Sequence, residues 1–350
     1  MARATRLGVT GLLALVIALV SGAAPALACG GLVGPGGTVQ LSRTTTLAAY
    51  RAGVEHYVTA FEYRGGGAKF GSIVPLPGVP TKVEKGGDWT LQRLVRETQP
   101  VTQERAAFAA TSARTGDAEV LLRAKVDALD ITVLRGGGMA VGAWAREHGF
   151  GLSPDAPEVL DFYAARSPVF LAASFDGTQA QARGQRLGDG TPVHVTIPTT
   201  NPWVPLRILG LGLRPSSPVQ ADVYLLTDRK PAILPEPAGG VRLEQSRQAS
   251  TTLLADLRSD RGMDWLPRSG VWLSYLKVDT TAGALKHDLA VDASGQGTPS
   301  LVAAGLPVGT ARGVPSQLAG GGLWWLLWPA LLAMTGVALV AFRAGRLGRR

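Results

Sequence analysis

Residues 323–342 form an unbroken uncharged run of about 20 residues, closed by Arg343, Arg346, Arg349 and Arg350. At 1.5 Å rise per residue, such a helix spans about 30 Å, the hydrocarbon thickness of a bilayer. A run that is apolar on every face and halts at clustered arginines reads as a transmembrane helix, not as a buried helix of a soluble fold. Trp324, Trp325 and Trp328 crowd one end, where amphipathic rings favour the headgroup layer. Arg343 begins the opposite, cytoplasmic end. Pro329 loosens the outer turn, and the run contains no Gly-x-x-x-Gly pair for helix dimerisation.

A second apolar block, residues 7–20, follows Arg3 and Arg6 and leads to Ala26-Leu27-Ala28. A basic start, a short apolar centre and a small-x-small end describe an export signal over residues 1–28; an uncleaved signal anchor is the alternative. Cys29, the single cysteine, would then be the first mature residue, where a lipoprotein carries its lipid. Lipoprotein signals place Leu three residues before that cysteine, whereas Ala26 stands there, so lipidation of Cys29 stays open. Attachment to a cell wall is a further option for the tail. Leu306-Pro307-Val308-Gly309-Thr310 transposes the threonine and glycine that a sorting signal requires, and Leu318-Ala319-Gly320-Gly321-Gly322 lacks the threonine. The expected organisation is a signal (1–28), an extracytoplasmic domain (29–293), a flexible stalk (294–322), a membrane helix (323–342) and a basic cytoplasmic tail (343–350).

Charge and cysteine content narrow the function classes. Arg3, Arg6 and the four tail arginines supply most of the formal charge of +9, so the exported region is nearly neutral. A nucleic-acid binder needs a concentrated basic footprint, and none remains. One cysteine rules out an internal disulfide, so an ordinary apolar core must hold the fold.

Local patterns predict strands over 57–63, 70–76, 169–175, 191–197 and 219–226, with an extended stretch over 119–134. Gly65, Gly66 and Gly67 turn the first of these into the second, and Pro75, Pro77 and Pro80 end the second or place it at a sheet edge. Asp88 is read as the cap of a short helix bearing Leu91, Leu94 and Val95. Further helices are expected over 139–148, over 154–165 with Ser153 as cap, and over 250–259 with Leu253, Leu254 and Leu257 inward. Two final strands, 271–279 and 285–291, read as a hairpin, and the Pro-rich 229–240 as a surface loop that marks a weak subdomain break. Strands mixed with short helices give an α+β fold with mixed or mainly antiparallel sheets, plus the one C-terminal transmembrane helix.

Ala28-Cys29-Gly30-Gly31, Phe70-Gly71-Ser72-Ile73-Val74-Pro75-Leu76-Pro77, Pro202-Trp203-Val204-Pro205-Leu206 and Trp272-Leu273-Ser274-Tyr275-Leu276 occur in that order. Together they resemble an exported bacterial family known as domain of unknown function 2330, over residues 29–291. The resemblance implies export and membrane anchoring and supplies no activity. Some members carry a second cysteine soon after the first; this chain does not, so no disulfide or metal role for Cys29 carries over.

Catalytic signatures are missing from the sequence. The four histidines, His56, His148, His194 and His287, include no i, i+4 pair, and no His-Glu-x-x-His, Gly-x-Ser-x-Gly or phosphate-loop run is present. Glu55-His56 and His287-Asp288 are adjacent, but neighbours on a strand point to opposite faces, so the histidines read as isolated. Asp155, Glu158 and Asp161 fit a helix start and a solvated face better than calcium. One candidate binding surface remains, residues 201–207. There Trp203 stands between prolines with Arg207 close by, although a core tryptophan entering a sheet is the favoured reading of Trp203, since Trp is mostly buried. No cofactor is expected; the expected partners are the membrane and an envelope component or another membrane protein. The leading expectation is a binding or scaffolding domain. Its rival is an envelope hydrolase assembled only in three dimensions from His56, His194 or His287.

Overall fold

β-Branched and aromatic residues dominate the longest extended stretches, and the chain folds around them as a layered α+β structure. The computed structural model describes residues 31–33, 40–64, 69–99, 119–126, 129–176, 192–294 and 297–308. The strands in chain order begin with β1 (Gly31–Val33), β2 (Gln40–Arg51), β3 (Val54–Arg64), β4 (Lys69–Pro75), β5 (Lys82–Lys85), β6 (Glu119–Val126), β7 (Leu129–Arg135) and β8 (Val169–Asp176). They continue with β9 (Val193–Pro198), β10 (Trp203–Val204), β11 (Pro218–Thr227), β12 (Ala232–Leu234), β13 (Val241–Gln248), β14 (Trp272–Thr281) and β15 (Leu289–Asp292). The helices are α1 (Thr90–Thr98), α2 (Gly138–Glu147), α3 (Ala156–Ala164), α4 (Thr251–Ser259) and α5 (Leu301–Ala304).

A seven-stranded sheet runs β13-β14-β11-β2-β3-β9-β5, antiparallel except where β11 lies parallel to β2. A five-stranded antiparallel sheet runs β1-β4-β8-β7-β6, and a small one runs β10-β15-β12. Side-chain alternation splits the seven-stranded sheet between two cores. Ala48, Tyr57, Val195, Val223 and Leu225 face the larger core, which they share with β4, β7, β8, α2 and α3. Leu47, Ala49, Val58, Tyr224 and Leu226 face the smaller one, beneath α1 and α4.

The predicted elements mostly form, with instructive shifts. Ser250 caps α4 through its side chain, accepting from the Leu253 amide at 3.1 Å, and Leu253, Leu254 and Leu257 are fully buried as expected. Asp88 does not cap α1. Asp260 does so from a distant loop, accepting from the amides of Asp88, Trp89 and Thr90 and from the Thr90 hydroxyl at 2.7–3.1 Å. Gly87 permits this approach, since a Cβ there would lie 2.1 Å from the Asp260 carboxylate. Helix α3 begins at Ala156 rather than at Pro154, with the Ser153 carbonyl accepting from the Ala156 amide.

Strands β3 and β4 form where the sequence placed them, in different sheets, and the glycines 65–67 between them lie outside the described residues. Two expectations about connectivity are corrected. The final two strands are not a hairpin: β14 pairs with β13 and β11, whereas β15 pairs with β10 and β12. A 3-10 turn at Ala282–Ala284 diverts the chain between them, and Gly283 sits against Pro215 where a Cβ would meet its carbonyl at 2.9 Å. The Pro-rich 229–240 contributes β12 to the small sheet, and no division of the packing falls there. The stalk also starts later than read. Ser300 caps α5, and the Asp288 amide donates to the Ala304 carbonyl, so the packed unit runs to Leu306.

Among the described residues no helix is long and apolar enough to cross a membrane. The apolar run 323–342 with Trp324, Trp325, Trp328 and Arg343, the export segment and Cys29 lie outside the described residues.

Candidate functional site

Asp288 enters β15 from the turn after β14 and is completely buried. A carboxylate taken out of water needs full hydrogen bonding, and this one has it. Oδ1 accepts from the Tyr163 hydroxyl (2.8 Å) and from the backbone amides of Leu206 (2.7 Å) and Arg207 (2.9 Å). Oδ2 accepts from the Arg166 guanidinium at 2.5 Å. Arg166 donates further to the carbonyls of Ala303 (2.6 Å) and Phe162 (3.3 Å). Its guanidinium carbon lies 4.2–4.8 Å from the ring centres of Phe162, Tyr163 and Trp203, within cation–π range. Burial, then the charge of Asp288, push the Tyr163 phenol well above its ordinary range, so it stays a donor. Helix α3, the strand β10 and helix α5 are thereby knotted at one point.

Beside this knot opens a cleft of about 730 Å³, lined by Arg166, Thr199, Thr200, Asn201, Trp203 and Val302 among others. Its rim includes the β2–β3 turn, where Ala52 and Gly53 both take positive φ (49° and 80°), the backbone of a tight two-residue hairpin. Helix α5 also lines the cleft, where Val302 is 48% exposed.

The sequence pairing of Trp203 with Arg207 is therefore corrected. Trp203 is 2% exposed and stacked on Tyr163 at 5.6 Å between ring centres, and it lines the cleft from this buried position. Arg207 is not among the residues lining the cleft. It forms an ion pair with Glu158 and lies over Phe162. Arg166, three positions after Tyr163, is the arginine that meets Trp203. It was invisible in the sequence because its partners come from residues 203, 288 and 303.

The histidines also differ from expectation. Glu55 and His56 do point to opposite faces of β3, but His56 is not isolated. The β3–β9 register places His56 diagonal to His194, with Nδ1 and Nε2 3.0 Å apart. Behind His194, its Nδ1 lies 3.6 Å from the Glu84 carboxylate on β5. Trp265 stacks on His56 at 3.7 Å and 4°. Burial lowers the His56 pKa to about 4 and also lowers that of His194, so both rings are neutral near pH 7. On the other face, burial raises the Glu55 pKa to about 8; the Trp203 backbone amide offsets this only in part, and neither carboxyl oxygen makes a hydrogen bond of good geometry. His148 packs on Trp144, and a His287 ring nitrogen lies 3.3 Å from the Gly305 carbonyl. Among the described residues no group of three or more His, Cys, Asp or Glu side chains is arranged around a common metal position.

A family model described as an uncharacterised protein conserved in bacteria, DUF2330, matches residues 23–236. No curated protein matches. Among solved structures, the crystal structure of baculovirus p35 aligns at 9% identity and a TM-score of 0.39. That alignment covers 73% of this chain and 97% of the viral one, a likeness too slight to bear on fold or function.

Proposed function

The chain belongs to this bacterial family of uncharacterised proteins, DUF2330, and from its own residues we propose that it is a single-pass membrane protein whose exported domain binds an envelope component in the cleft beside Arg166. The observation that carries this reading is the cleft itself. Its volume of about 730 Å³ falls in the range of small-ligand sites, roughly 300–1,000 Å³. Arg166, the charged residue in its lining, is already neutralised by Asp288. A neutral, hydrogen-bonding occupant suits Thr199, Thr200, Asn201 and Ser300 better than an anion does. Among the described residues no histidine or carboxylate stands in the lining, which favours retention of a ligand over acid–base turnover.

Val302→Arg places a long charged side chain at the cleft wall while leaving the packed core untouched. Capture of an envelope component by the wild-type chain, lost in Val302→Arg, is the expected result; equal capture by both would remove the cleft from the account. For the topology, protease added to intact cells should digest the domain, and alkaline carbonate should leave the chain in the membrane. Release by carbonate would refute the anchor.

One observation favours the rival hydrolase, the hydrogen bond between His56 and His194 with Glu84 behind it. Among the described residues no serine or cysteine is hydrogen-bonded to either ring, so an activated nucleophile is not in place. Labelling by a hydrolase-directed covalent probe that depends on His56 would reinstate it.

A further inference from the structure

The smaller-core face of the seven-stranded sheet carries Glu84, His194 and His56 in a row across β5, β9 and β3. We propose that His56 and His194 form a binding site for a first-row transition ion that favours imidazole, of the Zn²⁺ or Cu⁺ type. The facing nitrogens are 3.0 Å apart. An ion bonded to two imidazoles at about 2.0–2.1 Å in tetrahedral geometry holds their nitrogens about 3.3 Å apart, so a shift of a few tenths of an ångström admits it. Metal-ligating histidines are oriented by a carboxylate on their other ring nitrogen. Glu84 stands behind His194 Nδ1 in that position, and Lys82 Nζ holds Glu84 at 2.8 Å. His194 Nδ1 is buried and has no hydrogen-bond partner as it stands.

The surroundings fit a ligand site. Burial keeps both rings in the neutral, ligating form. The loop from Asp260 to Leu266 covers the pair, and Gly262, at φ +71°, lets it approach to where a Cβ would sit 3.4 Å from His194 Nδ1. Asp264 on that loop acts electrostatically on His194, and water completes the coordination. The pair offers two protein ligands, which is why no group of three is found. With His194 Nδ1–H turned to Glu84, His56 carries the bridging proton on Nδ1. Ion binding moves that proton to its Nε2, and no net proton is released near pH 7.

The test uses the purified full-length chain in detergent, stripped with a chelator and titrated separately with Zn²⁺ and with Cu⁺ under reducing conditions. One ion per chain is expected for at least one of the two, with a change in tryptophan fluorescence from Trp265 on His56. His56→Gln and His194→Gln should each weaken binding by about tenfold or more, Glu84→Gln by less, and Trp265→Phe should keep the stoichiometry but lose the optical change. Absence of one-to-one binding by both ions, or unchanged affinity in both histidine variants, overturns the site. Should a histidine variant fail to fold, X-ray absorption of the wild-type complex decides: two imidazole nitrogens around the ion support the site and none refutes it.

Discussion

Glu55 and His56 are adjacent on β3, yet their protons respond to pH in opposite senses because alternation sends them into different cores. Glu55 has its pKa raised from 4.5 to about 8, so the folded state holds a proton that the unfolded chain gives up. Its contribution is complete below about pH 4.5 and is lost as pH rises towards 8, at about 1.4 kcal/mol per pH unit within that window. His56 has its pKa lowered from 6.5 to about 4, so the unfolded chain takes up the proton first, and stability is lost as pH falls from 6.5 towards 4. His194, also lowered, adds to that acid limb. The expected profile is a stability maximum near pH 6.5, read as the urea midpoint against pH. Glu55→Gln should flatten the limb above pH 6.5 and steepen the limb below it, because the opposing Glu55 slope between about 4.5 and 6.5 is removed; an unchanged alkaline limb would show that Glu55 is ionised or solvated. The opposite-face geometry of this dipeptide was legible from strand alternation. The meeting of His56 with His194 was not, because it depends on a register between segments 138 residues apart.

At the scale of elements, the sequence announced those whose signals are local. Ser250 caps α4 and Val159, Leu160 and Tyr163 turn inward on α3, because each signal lies within the element itself. Strand β2 was missed although it lies between β3 and β11, since its run Thr44-Thr45-Thr46-Leu47-Ala48-Ala49 is buried on both faces and shows no alternation. Strand β13, at the edge of the sheet, was missed because its residues are largely polar. The cap of α1 was misread for a related reason. Asp88 occupies the right sequence position, but its side chain is 62% exposed and turns to Lys85 at 3.4 Å. Asp260, 7% exposed, takes the helix amides instead. Asp260→Ala should therefore cost about 2–4 kcal/mol in chemical denaturation, through the orphaned amides and the emptied pocket, whereas Asp88→Ala should stay within about 0.5 kcal/mol. The reverse ranking would restore the sequence reading. A similar contrast applies at the knot. Arg166→Met or Asp288→Asn alone should each cost about 3–5 kcal/mol, since each strands a buried charge, and the double variant should lose clearly less than their sum. Strict additivity in a double-mutant cycle would mean that the two groups do not share one interaction.

For the whole molecule, the decisive question is where the folded unit stops, because that decides whether α5 and its wall of the cleft belong to it. Composition placed the boundary at Ala293, since Gly, Pro, Ser and Ala fill the segment that follows. Small residues are equally what a tightly packed closing helix requires. Ala303 and Ala304 are buried against the domain, the Ala303 carbonyl accepts from Arg166, and Gly305 adopts the left-handed C-cap at φ +70° beneath Phe162. A chain ending at Leu306 should thus fold cooperatively, whereas one ending at Ala293 removes α5, the acceptor for Arg166 and one wall of the cleft. Ser300→Ala, which deletes the α5 cap while keeping the chain length, should fall between them with a loss of about 1 kcal/mol. Thermal melts of the three, with amide exchange at Asp288 as a local reporter of its bond to Ala304, measure the boundary directly. Equal stability of the two truncated forms would return residues 294–306 to the stalk. It would take from the cleft the wall on which the binding proposal stands.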